Sequence, residues 1–532
     1  MSSRIRWGCL ILLLLLSSVV GVRFATSWAY SGLPAVSAVE GPPRLLAPPN
    51  PPNLDGSQNA PSAKPPKAVE KLNLDGAVPV ALPVLKQDLE AASFSTPDGR
   101  KGWVVKIPGG RPLATPAYAN GKLFIGGGYG SHEFYAFDSE TGKVIWKIST
   151  GDDGPTAAVV EDGYVAFNTE SCTLMVVDEK TGKVVWQEWL GDPLMSQPAI
   201  DKGRVFIAFP GGQRDGERRA RGASFHPKPA TPGGSHRLLA ADLRTGQHIW
   251  EQAIAGEVIS APILSDDVVY FTTFDGTSYA IAATDGAVIW VKKNAGTSAP
   301  VIAADQLVMT RKEMRGTKSY EGLARIDSKK GGDRDGELLA PEKAGYLDAG
   351  AGGGVALSPQ STASLDSLVG FAAPPPAAKL AEANQNVGVS TVVGAWAYQG
   401  SRAAVSKGQV LNAQGRYLNS FSAASGKETW RREIVSKDLT SSAQVFSPPA
   451  LGRDYMYLAG GAGHLVAVRQ RDGALGFAYA LKQPMAVQPV LVRGNVCAGT
   501  ANGLVICLKT GRSDADGWYA WGGNAQHNKV EK

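Results

Sequence analysis

Short apolar runs alternate with polar turns along most of this chain, and one pattern recurs. An apolar run meets a turn of Asp, Thr and Gly, and a second apolar run follows that ends in tryptophan. It reads AFDSETGKVIW at Ala136–Trp146, VVDEKTGKVVW at Val176–Trp186, AADLRTGQHIW at Ala240–Trp250 and AIAATDGAVIW at Ala280–Trp290. A weaker copy, SFSAASGKETW, spans Ser420–Trp430. Trp146 to Trp186 is a step of 40 residues, and so is Trp250 to Trp290. A fixed step of about 40 residues marks stacked supersecondary units, and four strands per unit make a propeller. The pattern predicts an all-β chain folded as an eight-bladed β-propeller of four-stranded antiparallel sheets. Seven blades would follow if one of the two least regular units, 300–339 or 389–431, is not a blade.

The spacing within one copy has a chemical logic. Asp138, Asp178 and Asp242 can accept from backbone N–H groups just beyond them and so hold a turn. They fall in separate units, so they do not form a carboxylate set. Gly142 supplies the left-handed conformation that a bulged hairpin requires, and Gly182, Gly246, Gly286, Gly426, Gly473 and Gly511 occupy the same place. The four-residue step from Gly to Trp fixes the face on which the indole lies, because strand side chains alternate. Trp103, Trp146, Trp186, Trp250, Trp290 and Trp430, with Phe477 in the equivalent slot, are therefore expected to pack each blade on its neighbour. A ring that recurs once per blade is packing rather than a ligand-stacking platform.

The ends of the repeat complement each other. Asp98-Gly99 and Trp103 carry the spacing with no strands before them, whereas Val487–Lys509 supplies three strands and no tryptophan four after Gly511. The N-terminal Trp103–Ile107 strand is expected to complete the last blade, with Trp518–Trp521 as the rival. Two stretches break the period, at 211–236 and 340–386. Both should crowd one end of the ring, where binding loops usually sit. The expected organisation is a signal peptide or N-terminal anchor over 1–29, a Pro-rich extended linker over 30–94, and the propeller over 95–532.

Composition narrows the function classes. With 63 Gly, 34 Pro and 19% charged residues, the 532-residue chain suits many short strands and tight turns. A net charge of +6 is too mild to indicate nucleic acid. Arg4 and Arg6 precede an apolar core from Cys9 to Val22, with small residues after it, as in an export signal. Cys9 lies before that core, where a lipid-anchored cysteine would follow it, so no lipid anchor is expected. Cys497 and Cys507 flank Asn502-Gly503. They bridge if the loop between them is three residues long, and are otherwise two small buried residues.

The first insertion, GGQRDGERRARGASFHPKPATPGGSH, carries Arg214, Arg218, Arg219 and Arg221. Their forked guanidinium groups could meet an acidic partner, or they could lie in a plainly solvated loop. His226 and His236 have no metal-ligand spacing. Gly350–Gly354 is not followed by the Lys-Ser/Thr of a phosphate loop. Trp396, Tyr398 and His464 stand off the repeat frame.

The AxDxxTGxxxW pattern resembles the tryptophan-docking repeat of PQQ-like, quinoprotein-type β-propellers, over roughly Trp103 to the C-terminus. That family includes quinone-dependent dehydrogenases and a non-catalytic BamB-like branch in outer-membrane protein assembly. In its catalytic members the quinone and a calcium ion sit near the axis. The resemblance there implies Glu and Asn ligands, a catalytic Asp, a stacking Trp and often adjacent cysteines. This chain has no adjacent cysteine pair, its calcium ligands find no match, and it has no CxxCH haem site. The expectation is an exported, periplasmic or cell-envelope scaffold, probing no catalytic chemistry, with no metal, no cofactor and a protein partner. It would be a monomeric propeller, peripheral to or tethered at the membrane. The alternative is a PQQ-dependent alcohol or aldose dehydrogenase with a divergent axial site and calcium. A polysaccharide hydrolase or lyase comes third, with no acid–base pair visible for it.

Overall fold

The computed structural model describes residues 69–527 apart from 129, 153, 170–171, 191–195, 211–235, 257, 259–260, 274, 344–402, 415, 440–445 and 486. All regular elements among them are strands, and they form eight sheets. Each sheet is built on four antiparallel strands running from an inner to an outer edge, in sequence order in all but the last blade, and three sheets carry a fifth strand. The inner and outer strands are Ala117–Ala119 and Val144–Ser149 in blade one, and Val159–Glu161 and Val184–Trp189 in blade two. In blade three they are Ala199–Asp201 and His248–Ile254, and in blade four Ile263–Ser265 and Val288–Lys292. Blade five runs from Val301–Ala303 to Leu339–Lys343, blade six from Ala403–Ser406 to Glu428–Val435, and blade seven from Ala450–Leu451 to Leu475–Ala480.

Blade eight joins the two ends of the chain. Its inner strand, Val490–Val492, and the next two come from the C-terminal part, and its outer strand, Lys101–Lys106, comes from the N-terminal part. Trp103 stands opposite Cys507 in that pairing. A ring closed this way leaves no open seam between first and last sheets. Trp518–Trp521 do not take the closing position; they lie against inner strands, as described below.

Three boundaries differ from those expected. Residues 69–94, the part of the linker whose apolar residues suit contact with the propeller, form with Ser95 a strap on the outer edges of blades six to eight. Glu70–Asn73 pairs in parallel with Glu428–Val435, and Val78–Pro79 in parallel with Leu475–Ala480. Ala92–Ser95 pairs antiparallel with Lys101–Lys106. Only Leu72, Leu74, Val80 and Phe94 of the strap are apolar and buried, and main-chain pairing carries the rest. His236, placed in the first insertion, opens the third strand of blade three, His236–Asp242. Ala340, placed at the start of the second, lies within the outer strand of blade five. Both are strand residues because the ladder continues past the last residue that fits the repeat.

Thr500 N–H donates to the Leu504 carbonyl at 2.9 Å, which closes the three-residue loop Ala501–Gly503. Cys497 and Cys507 are then directly opposed, and they form a disulfide beside the closing strand. Reduction is expected to cost about 2–3 kcal/mol, the entropy of opening so short a loop in the unfolded chain. Equilibrium urea denaturation of oxidised and reduced protein measures it; coincident curves would contradict it.

Candidate functional site

The repeated residues meet at the seams between blades. Asp138 Oδ1 accepts from Thr141 N–H at 2.8 Å, and Asp178 and Asp242 do the same with Thr181 and Thr245 at 2.8 Å. Their carboxylates are spent on turns and face no common space. The turn presents its glycine to the preceding blade. The indoles of Trp103, Trp146, Trp186, Trp250, Trp290 and Trp430 lie over Gly142, Gly182, Gly246, Gly286, Gly331 and Gly473 respectively. At Gly142, φ is 71° and an added Cβ would come within 2.5 Å of the Trp103 ring, so only glycine fits on both grounds. Each indole N–H also donates to a carbonyl of the next blade: Trp146 to Glu179 at 3.1 Å, Trp250 to Ala283 at 2.9 Å and Trp430 to Gln470 at 2.7 Å.

Two seams depart from this. Between blades five and six the tryptophan's place is taken by Arg325, on the third strand of blade five. Its guanidinium packs on Gly426 and donates to the Ala423 carbonyl at 2.6 Å, the acceptor an indole would use. Asp335 grips the other side of the fork, with two contacts of 2.6 Å. Between blades seven and eight, Phe477 does not reach Gly511, which has open space around it. The chain after Gly511 leaves the blade instead of forming its outer strand. Phe477 lies under the guanidinium of Arg100, in the turn between the strap and the closing strand, at 4.5 Å from its ring centre.

The hub is the second place where chemistry could gather. The inner strands of blades eight, one, two, three and four adjoin one another around the axis. The C-terminal tail crosses four of them, and its carbonyls accept from their N–H groups. Leu491 donates to Trp518 at 2.8 Å, Tyr118 to Tyr519 at 2.6 Å, Val160 to Ala525 at 2.8 Å and Ile200 to Gln526 at 3.3 Å. Trp521 is fully buried and belongs to the same hydrophobic cluster as Ala114, Ala157 and Ala261. His527 is buried beside it, and its Nδ1 lies 2.6 Å from the Trp521 carbonyl. Burial pushes the His527 pKa down to about 3, against one hydrogen bond that raises it, so the ring is neutral. No sequence period pointed to these residues; their only signal was two tryptophans close together after the last repeat.

Other titratable groups sit at the rim. His248 Nε2 lies 2.7 Å from Glu188 of blade two, and its Nδ1 forms an ion pair with Glu251 at 3.1 Å. Arg237 completes the cluster on Glu251 at 3.1 Å. Burial alone would lower the His248 pKa, but the two carboxylates outweigh it and raise it to about 9. A proton held more tightly by the folded state stabilises it fully below the ordinary value of 6.5, and that contribution is lost as pH rises through 9. Roughly 3 kcal/mol is expected to disappear over that window. Denaturant midpoints measured across it should fall, and His248→Ala should flatten the slope. His464 lies on the third strand of blade seven, away from the axis, and burial lowers its pKa.

Among the described residues no group of three or more His, Cys, Asp or Glu is arranged to hold a metal ion. Arg214, Arg218, Arg219 and Arg221, the Gly350–Gly354 run, Trp396 and Tyr398 lie outside the described residues.

Comparison with known proteins places the fold in a family. The outer membrane protein assembly factor BamB of Shewanella oneidensis is 25% identical over 210 residues, which span 36% of this chain and about half, 47%, of that protein. Among solved structures, BamB from Moraxella catarrhalis is similar at 13% identity and a TM-score of 0.44, over 79% of this chain and 98% of that one. The quinohemoprotein alcohol dehydrogenase of Comamonas testosteroni is similar at 12% identity and a TM-score of 0.46, over 77% and 76% of the two chains. A sequence model of the family described as outer membrane protein assembly factor BamB matches residues 87–224, 219–401 and 385–522. The chain belongs to that family.

Proposed function

We propose that this protein is an exported, non-catalytic propeller that binds protein in the cell envelope and serves the assembly of outer-membrane proteins. The observation that carries this is the use of the hub. Trp521 and His527 fill space against the inner strands that a ligand on the axis would need. Main-chain bonds to four blades hold the tail there. A quinone with calcium does not fit the described residues at that place. The aspartates of the repeat are committed to turns, and the tail carbonyls of Trp518, Tyr519, Ala525 and Gln526 are taken up by inner-strand N–H groups. Membership of the BamB family supports the same conclusion. The remaining surface is strand edges and loops on a rigid ring, which suits recognition.

The test has two arms. Full-length tagged protein, cross-linked in its own host and purified, should bring down an outer-membrane assembly protein in near-equal amount. Deleting its gene should lower the heat-modifiable, folded fraction of outer-membrane β-barrels. Purified protein given calcium and PQQ should bind no chromophore and reduce no dye with alcohols or aldoses. Dye-linked oxidation would overturn the proposal in favour of the dehydrogenase.

A further inference from the structure

The outer edges of the blades are not treated alike. Blades six, seven and eight wear a fifth strand supplied by the strap, parallel in the first two. In these blades the residue before the docking position is small or polar: Thr429, Gly476 and Gly102. At Gly102 a Cβ would meet the Phe94 ring of the strap at 2.5 Å. In blades one to four the same position holds Ile145, Val185, Ile249 and Ile289, which are 44%, 42%, 44% and 48% exposed. Among the described residues no strand covers these edges.

Blade four has the barest edge. Val288, Ile289 and Val291 of its outer strand Val288–Lys292 are 44%, 48% and 49% exposed. The neighbouring edges carry protection. Blade three has the buried charges of His248 and Glu251 on its outer strand, and blade five has Pro341 in its outer strand. Charges and prolines are the usual guards against strand pairing, and an apolar edge lacking them is a template for it. Lys292 is turned away to Asp333 of the next blade, at 3.2 Å.

We infer that the outer edge of blade four binds an extended peptide segment with apolar residues at alternate positions. It adds as a fifth strand, as the strap does on blades six and seven. Main-chain bonds would give the affinity, and Val288, Ile289 and Val291 the preference for β-branched or aromatic side chains. This rests on the protein-binding function proposed above and names the class of partner for one surface.

A labelled synthetic peptide of alternating valine and threonine, roughly eight residues long as an ordinary strand is, serves as probe for the full chain. Fluorescence anisotropy should show saturable binding. Ile289→Lys and Val291→Lys, at exposed positions where the fold is retained by circular dichroism, should each weaken it about tenfold or more. The same peptide N-methylated at two adjacent central residues has lost a donor on each edge and should weaken to the same degree. Absence of binding, equal binding by the N-methylated peptide, or indifference to Ile289→Lys would each overturn the inference. Self-association lost in Ile289→Lys, with no peptide binding, would assign the edge to a second copy and overturn it too. An Ile289→Lys protein that still brings down its envelope partner would discard this edge and leave the protein-binding function standing.

Discussion

Replacing Trp250 by alanine is expected to destabilise the propeller by about 3–5 kcal/mol, the range for a buried tryptophan truncated to a methyl group. The ring is 3% exposed, lies over Gly286 of blade four and packs beside Phe206, with centroids 6.0 Å apart. Most of the cost is the cavity, because two sheets with locked ladders cannot close over the lost ring. The hydrogen bond adds little. The Ala283 carbonyl that accepts from the indole also accepts from Arg204 at 2.8 Å, so it is not orphaned. Trp290, only half-buried in the next seam, should cost less when truncated. Equilibrium denaturation of both variants beside the exposed control Val291→Ala gives the ranking. A Trp250→Ala protein no less stable than the control would show that the indoles do not hold the blades together.

Much of this fold is legible in the sequence because its defining chemistry is local. An Asp that captures the amide three residues on, a glycine with positive φ and a ring four residues later lie within one hairpin, so the frame survives in any copy that keeps them. The closing strand is legible for the same reason, since Trp103 keeps the spacing without its blade. What depends on neighbours is not legible. Arg325 replaces an indole from a different strand and at a different step, and only its packing on Gly426 and the shared acceptor at Ala423 reveal the equivalence. Phe477 fits the spacing, but its partner turn at Gly511 leads out of the sheet. The strap is nearly invisible because its pairing is main-chain and its buried apolar residues are few. The hub role of Trp518–Trp521 is not legible because the tail has no repeat; its order is imposed by four inner strands, three of them distant in sequence.

That tail bears the largest effect. Deleting Ser513–Lys532 removes Trp518 and Trp521, both exposed by 2% or less, together with buried Ala515 and Ala520. Two buried tryptophans at about 3–5 kcal/mol each approach the roughly 5–15 kcal/mol by which ordinary domains are stable. The inner N–H groups of Leu491, Tyr118, Val160 and Ile200 lose their acceptors as well. The truncated chain should fail to accumulate as folded protein, and the milder Trp521→Ala should fold with a lowered denaturant midpoint. His527 supplies an independent check by titration. Its folded pKa of about 3 lies below the ordinary 6.5, so the unfolded state takes up the proton first. Stability should therefore be complete above pH 6.5 and fall as pH drops toward 3, and His527→Gln should lessen that fall. If the truncated chain instead folds as well as the whole one, the tail is a removable plug rather than part of the core. The hub would then be free to take a ligand, and the case for a scaffold without chemistry at its axis would lose its main support.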